Sequence, residues 1–153
     1  MSGNAKIFYP TQRSTKNPFR AMQAGEIPPA PASQLLGLKI LELDETLGTC
    51  TIEFEGKPEF VNPIGTIQGG FVAAMLDDTF SIALLAALGP EMIAPTVEMK
   101  ISFIRAAKPG RLIGKGRVVH KGGTIGFAES ELFDAEGRLI ARASATAALR
   151  KLG

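Results

Sequence analysis

Residues 68–88 read QGGFVAAMLDDTFSIALLAAL, and the fold follows from this run. It holds no proline, is dominated by Ala, Leu, Met, Ile and Phe, and stops at Gly89-Pro90, a helix-ending pair. About twenty residues at 1.5 Å rise make a rod of roughly 30 Å. The rod is apolar nearly all round, so most of its sides must be covered; in a chain of 153 residues that means a sheet wrapped around it.

The flanking sequence supplies the strands. Leu38, Ile40 and Leu43 lead to the Asp44-Glu45-Thr46 turn, after which Cys50, Ile52 and Phe54 alternate with Thr49, Thr51, Glu53 and Glu55, the pattern of a hairpin. Beyond the helix, strands are expected over 96–105, 111–120, 124–133 and 138–150, where Val97, Met99, Ile101 and Phe103 alternate with polar residues. The separators Lys108-Pro109-Gly110, Lys121-Gly122-Gly123 and Asp134-Ala135-Glu136-Gly137 join antiparallel neighbours and are too short for parallel crossovers. Ala141, Ala143, Ala145 and Ala147 form a small-residue stripe suited to packing on the helix. The expected class is α+β: a long central helix wrapped by an antiparallel sheet of five to six strands.

Residues 1–34 read as a largely irregular N-terminal arm, and 35–153 as the folded domain. The arm contains the Pro28-Pro29-Ala30-Pro31 run, which favours extended backbone. Within it Asn17-Pro18 has the form of a helix cap followed by proline at the first helical position, with Gly25 closing a short helix, and Ser33 is placed to cap another turn.

Composition narrows the function. Lys and Arg number 17 against 15 Asp and Glu, for a net charge of +2, and the basic residues are scattered, so the clustered charge of a nucleic-acid surface is missing. No stretch reads as a membrane span, and residues 1–20 lack the apolar core of a secretory signal, which together suggest a cytoplasmic protein. One cysteine, Cys50, and one histidine, His120, cannot build a Cys/His zinc site, and no metal or other cofactor is expected. Cys50 alternates with Ile52 and Phe54 as an apolar filler, and His120, beside Lys121-Gly122-Gly123, reads as an exposed strand-end residue. The absence of a Gly-x-Ser-x-Gly elbow disfavours an α/β-hydrolase mechanism.

Asp77-Asp78, in the middle of the apolar helix, is what the fold does not explain. An ionised carboxylate removed from water costs several kcal/mol unless it is partnered. Asp77 shares a helical face with Gly70, Ala73, Ala74 and Ser81, all small, which leaves room for an approaching group; Asp78 stands nearer Met75, Ile82 and Leu85. Gly69-Gly70 open the helix with unobstructed amides at the positive end of its dipole, able to receive an anion or a polarised carbonyl. Asn62, in the preceding loop, adds amide donors. Donors at one end and an acid two turns along suit acyl transfer to water.

The stretch Asn62-Pro63-Ile64-Gly65-Thr66-Ile67-Gln68-Gly69-Gly70, then Ala73-Ala74-Met75-Leu76-Asp77 and Thr96-Val97-Glu98-Met99-Lys100-Ile101-Ser102-Phe103, resembles the hotdog-fold acyl-coenzyme A thioesterases of the phenylacetate-degradation type over about residues 35–150. The resemblance implies a hotdog fold, dimers or tetramers with active sites at the dimer interface, and hydrolysis of acyl-coenzyme A. It assigns Asn62 and the Gly69 amide to the thioester carbonyl, Asp77 from the partner subunit to nucleophilic or general-base duty, and Thr96 to assisting the water. The family's usual histidine before the glycine pair is Gln68 here, a hydrogen-bond donor that cannot titrate near neutral pH. Gly70 and Phe71 are candidates for lining the substrate channel, and Arg105, Lys108 and Lys121 for meeting the phosphates of coenzyme A. The rival readings are a non-catalytic acyl-coenzyme A binding module and a dehydratase; the latter ordinarily needs the histidine that Gln68 replaces.

Overall fold

A computed structural model describes residues 17–152. The rod is helix α3, Gly69–Leu88, capped by Gly89 at φ 90°, a backbone geometry glycine adopts freely. Six strands wrap it: β1 (Lys39–Asp44), β2 (Thr49–Gly56), β4 (Thr96–Phe103), β5 (Gly110–Lys121), β6 (Ile125–Asp134) and β7 (Leu139–Ala148). Their order across the sheet is β1-β2-β5-β6-β7-β4, and every pairing is antiparallel. The helix wrapped by an antiparallel sheet is the architecture that the apolar run demands. A further pair, β3 (Met92–Ile93) with β8 (Arg150–Lys151), forms a small second sheet that the sequence pattern did not announce.

The sheet approaches α3 most closely at β5. A Cβ on Gly114 would stand 2.3 Å from Thr79 Oγ1, and one on Gly116 2.5 Å from the Thr79 carbonyl oxygen, so side chains are excluded at both positions. The two fully buried hydroxyls at the contact of helix and sheet are satisfied locally: Thr79 donates to Met75 O at 2.7 Å, and Ser130 of β6 donates to Leu76 O at 2.9 Å. The alanine stripe of β7 lies buried beside the helix, as its spacing predicts. By length and hydropathy α3 would also suit a bilayer, contrary to the sequence expectation; here it is the core helix, with Met75, Leu76, Phe80 and Ala83 fully enclosed.

Two short helices precede the sheet. Helix α1 (Pro18–Gln23) begins as the sequence predicts, with Asn17 Oδ1 accepting from Phe19 N at 3.0 Å. Asn17 Nδ2 also donates to Ala86 O near the end of α3, and Phe19 is buried in the core, so α1 is clamped onto the domain. Helix α2 (Pro31–Leu35) starts three residues earlier than the Ser33 cap would place it, because Pro31 occupies the first helical position; Ser33 lies inside it.

Candidate active site

The loop leading to α3 is shaped by Asn62. After the 3-10 turn Pro58–Phe60, Asn62 Oδ1 accepts from Ile64 N at 3.1 Å and Thr66 N at 3.2 Å, while its Nδ2 donates to Thr66 Oγ1 at 2.9 Å. The side chain closes its own turn, as Asn before Pro commonly does, and keeps one amide hydrogen uncommitted. Gln68, exposed, occupies the N-cap of α3 without a side-chain capping bond. Its backbone is held on both sides, by Gln68 N to Phe60 O and by Ile67 N to Ala107 O, each at 2.8 Å.

These bonds fix the entry of α3 while its first amides stay unused: among the described residues, the N–H groups of Gly69 and Gly70 have no acceptor. A Cβ on Gly70 would meet nothing within 4 Å and its φ is not positive, so neither packing nor conformation within one chain calls for glycine there. A Cβ on Gly69 would only reach the Phe103 ring at 3.4 Å. The start of the helix is a bare, open surface bearing free donors.

Two turns along the same face, half-buried Asp77 accepts a hydrogen bond at Oδ1 from Thr96 Oγ1 at 2.9 Å. Thr96 begins β4, the edge strand of the sheet, and the carboxylate keeps Oδ2 for another partner. Val97, Phe103 and Ile104 at this edge are 68%, 59% and 49% exposed, an apolar margin running from Asp77 to the start of the helix. Asp78, next along the helix, turns under the arm, where burial pushes its carboxyl up to about 6; the charge of Asp77 adds to the shift and the Ser33 hydroxyl opposes it.

The remaining candidates separate. Arg105 and Lys108 sit in the exposed loop whose Ala107 carbonyl holds Ile67, so the structure brings them to the Gly69 end. Phe71 stacks on Phe60 with ring centroids 4.0 Å apart, a packing role within the chain. Lys121 donates to Ala87 O at 2.9 Å, at the far end of α3, where it complements the helix dipole and lies a full helix length from Gly69. His120 is exposed at that same end, tilted against Phe127. A hollow of about 730 Å³ among Lys115, Arg117, Glu129, Glu131 and Arg142 lies on the sheet face turned away from α3, where Arg117 pairs with Glu129. It touches neither Asp77 nor the glycine pair.

Sequence reading did not anticipate two contributors: Thr66, which fixes the Asn62 amide, and Ser33, which faces Asp78. The Asn-x-x-x-Thr spacing was a usable signal for the first; nothing in the sequence linked Ser33 to residue 78.

Comparison with known proteins identifies the family and the fold. The family model of the thioesterase superfamily matches residues 64–141. Acyl-coenzyme A thioesterase 13 of Homo sapiens is 32% identical over 108 residues, covering 68% of this chain and 75% of that protein. A phenylacetic acid degradation-related protein of Ralstonia eutropha JMP134 is 32% identical, with a TM-score of 0.80 over 85% of this chain and 98% of that one. The PaaI protein of E. coli, 21% identical, shares the fold with a TM-score of 0.70 over 76% of this chain and 86% of its own.

Proposed function

This chain belongs to the thioesterase superfamily and is a thioester hydrolase, and from that premise we propose that it cleaves acyl-coenzyme A to a carboxylic acid and free coenzyme A, with Asp77 as the reacting carboxylate. The observation that carries the reading is the pairing of Asp77, held by Thr96 and open at Oδ2, with the unused amides of Gly69 and Gly70. The Gly69 N–H, the free amide hydrogen of Asn62 and Gln68 receive the thioester carbonyl oxygen and stabilise the oxyanion that forms when its carbon is attacked. Asp77 either takes a proton from the attacking water or attacks the carbonyl itself to give an anhydride that water then opens. In both routes the C–S bond breaks and the coenzyme A thiolate departs and is protonated; in the base route water supplies the acid's new oxygen, and in the anhydride route water attacks the Asp77 carbonyl, so the acid leaves with an Asp77 oxygen and water restores the carboxylate. Gln68 cannot donate a proton to the thiolate, which is a good enough leaving group to depart without one.

The site is assembled from two copies of the chain. Gly69 and Asp77 are eight residues apart on one helix, about 12 Å of rise, too far for both to engage one carbonyl. The exposed apolar margin of β4 and the bare Gly70 surface fit a second copy that brings its Asp77 to this chain's Gly69. Arg105 and Lys108, at the Gly69 end, face the phosphates of coenzyme A, and Gly70 leaves the channel clear. Lys121 would have to reach those phosphates from the other copy.

Thiol release measured on short, medium, long and aromatic acyl-coenzyme A thioesters tests the reading. Wild type turns over at least one class, and Asp77→Ala lowers kcat by at least about 10²-fold. Tight binding with no turnover in wild type would favour the non-catalytic module instead.

A further inference from the structure

Under the N-terminal arm lies a cavity of about 160 Å³ that the hydrolytic scheme leaves unused. Phe19, Met22 and Ile27 line it from the arm; Ser33 of α2 and Asp78 and Ser81 of α3 supply its polar side. Asp78 Oδ2 is closed off from water and, among the described residues, has no hydrogen-bond partner. Among the described residues, Asp78 is the single titratable residue lining the space, and neighbouring Asp77 is the one other charge acting on it.

A buried carboxylate without a counter-charge is strongly disfavoured, so above its raised pKa of about 6 this wall calls for a cation. One carboxyl and two hydroxyls among hydrocarbon are too few oxygens for a hard metal ion. The volume equals about five waters at ~30 Å³ each, which suits five or six heavy atoms. A short hydrocarbon ending in an ammonium group satisfies all of these conditions. Position adds the last step: Ser81, which lines the cavity, lies one helical turn beyond Asp77 on the same face, so although Asp77 is not part of the wall, a single turn of α3 separates the space from the reacting carboxylate.

We propose that the cavity receives the far end of the acyl group and that Asp78 makes the enzyme prefer thioesters whose short acyl chain ends in a protonated amine. The inference rests on the acyl-coenzyme A reading, with Asp77 as the reacting group.

The test compares 6-aminohexanoyl-coenzyme A with heptanoyl-coenzyme A, whose acyl groups have equal numbers of heavy atoms. Wild type favours the amino acyl group in kcat/KM by at least about tenfold, and Asp78→Asn brings the ratio to about one or below. A wild-type preference for heptanoyl, or a ratio that Asp78→Asn does not move, overturns the proposal. Calorimetric binding of pentylamine and 1-pentanol gives a readout that needs no turnover. At about pH 7.5 the amine binds wild type more tightly than the alcohol; the difference disappears in Asp78→Asn, and in wild type at about pH 5, where the carboxyl is protonated and the amine is not altered. Equal binding of the two probes overturns the selectivity. Amine-selective binding with neither thioester hydrolysed would sink the hydrolytic reading, and the acyl assignment with it; turnover of both thioesters without amine preference sinks the Asp78 selectivity alone.

Discussion

Thr96, the first residue of edge strand β4, donates its hydroxyl to Asp77 Oδ1 at 2.9 Å and so ties the open margin of the sheet to the one carboxylate on the open face of the core helix. The bond leaves a single lone-pair-bearing oxygen of Asp77 directed elsewhere. A carboxylate fixed at one oxygen needs little reorganisation when the other reacts.

Removing that tether disorders the acid without deleting it. Thr96→Val is expected to lower kcat by about tenfold and Asp77→Asn by at least about 10²-fold, with the double variant no worse than Asp77→Asn alone because both act through one oxygen. Steady-state kinetics on all three variants check the ordering; a Thr96→Val enzyme as impaired as Asp77→Asn would mean the threonine acts on substrate directly.

Single turnover in ¹⁸O-labelled water distinguishes the two routes open to Asp77. If the carboxylate attacks the carbonyl, label enters the Asp77 side chain and the first acid released is unlabelled; if it acts as a base, the label goes to the product acid. Mass spectrometry of the peptide containing Asp77 reads the result.

Gln68 caps α3 without titrating, so the wild-type rate has no inflection from this position near neutrality. Gln68→His should preserve or raise turnover, since the position orients the carbonyl, and should add an inflection near about pH 6.5. A large loss at every pH would contradict the orienting role.

The glycines of α3 and β5 answer to different constraints, and substitution separates them. Gly114→Val drives a side chain into Thr79, where a Cβ alone would stand at 2.3 Å, and should destabilise the chain by about 3 kcal/mol or more in denaturant unfolding. Gly70→Val meets open space within the chain and should leave unfolding of a dissociated chain within about 0.5 kcal/mol while abolishing turnover and shifting the protein towards monomer in light scattering.

The raised pKa of Asp78 fixes a sign for stability against pH. Its folded value, about 6, lies above the ordinary 3.8, so the folded protein holds this proton more tightly than the unfolded chain does. The contribution is fully present below about pH 4 and is lost as pH rises through 6, with a ceiling of about 3 kcal/mol from two pKa units. Asp78→Asn should therefore flatten this part of the stability profile, and the gap between variant and wild type should widen in the variant's favour from about pH 4 to about pH 7. Chemical denaturation across that range checks it; a gap that does not change with pH would mean the carboxyl is solvated.

Much of the architecture was legible because periodicity is a local property. The proline-free apolar run read as a core helix, the alternation at Cys50, Ile52 and Phe54 put alternate side chains on the helix side, and Asn17-Pro18 announced α1 with its capping bond. The Ser33 cap failed because Pro31, already fixed near helical φ, nucleated the turn three residues sooner. The short β3–β8 pair carries too few residues for any pattern to show. At the site, Asp77 stood out as an acid on an apolar rod, but Lys121 could not be placed: its distance from Gly69 depends on which end of α3 strand β5 reaches, and that is a question of packing.

The sequence alone determined the helix and the antiparallel sheet around it, because each rests on spacing between near neighbours and on residue types a core cannot accept without cause; the family was legible only through the resemblance of Asn62–Gly70 and Thr96–Phe103 to known thioesterases. Only the tertiary structure decided which groups meet: Thr96 on Asp77, Lys121 on the wrong end of the helix for the glycine amides, and the arm closing over Asp78 to bury an oxygen that has no partner among the described residues. Those contacts join residues distant along the chain, and their geometry is set by how sheet and arm fold over one helix, a property that no local stretch contains.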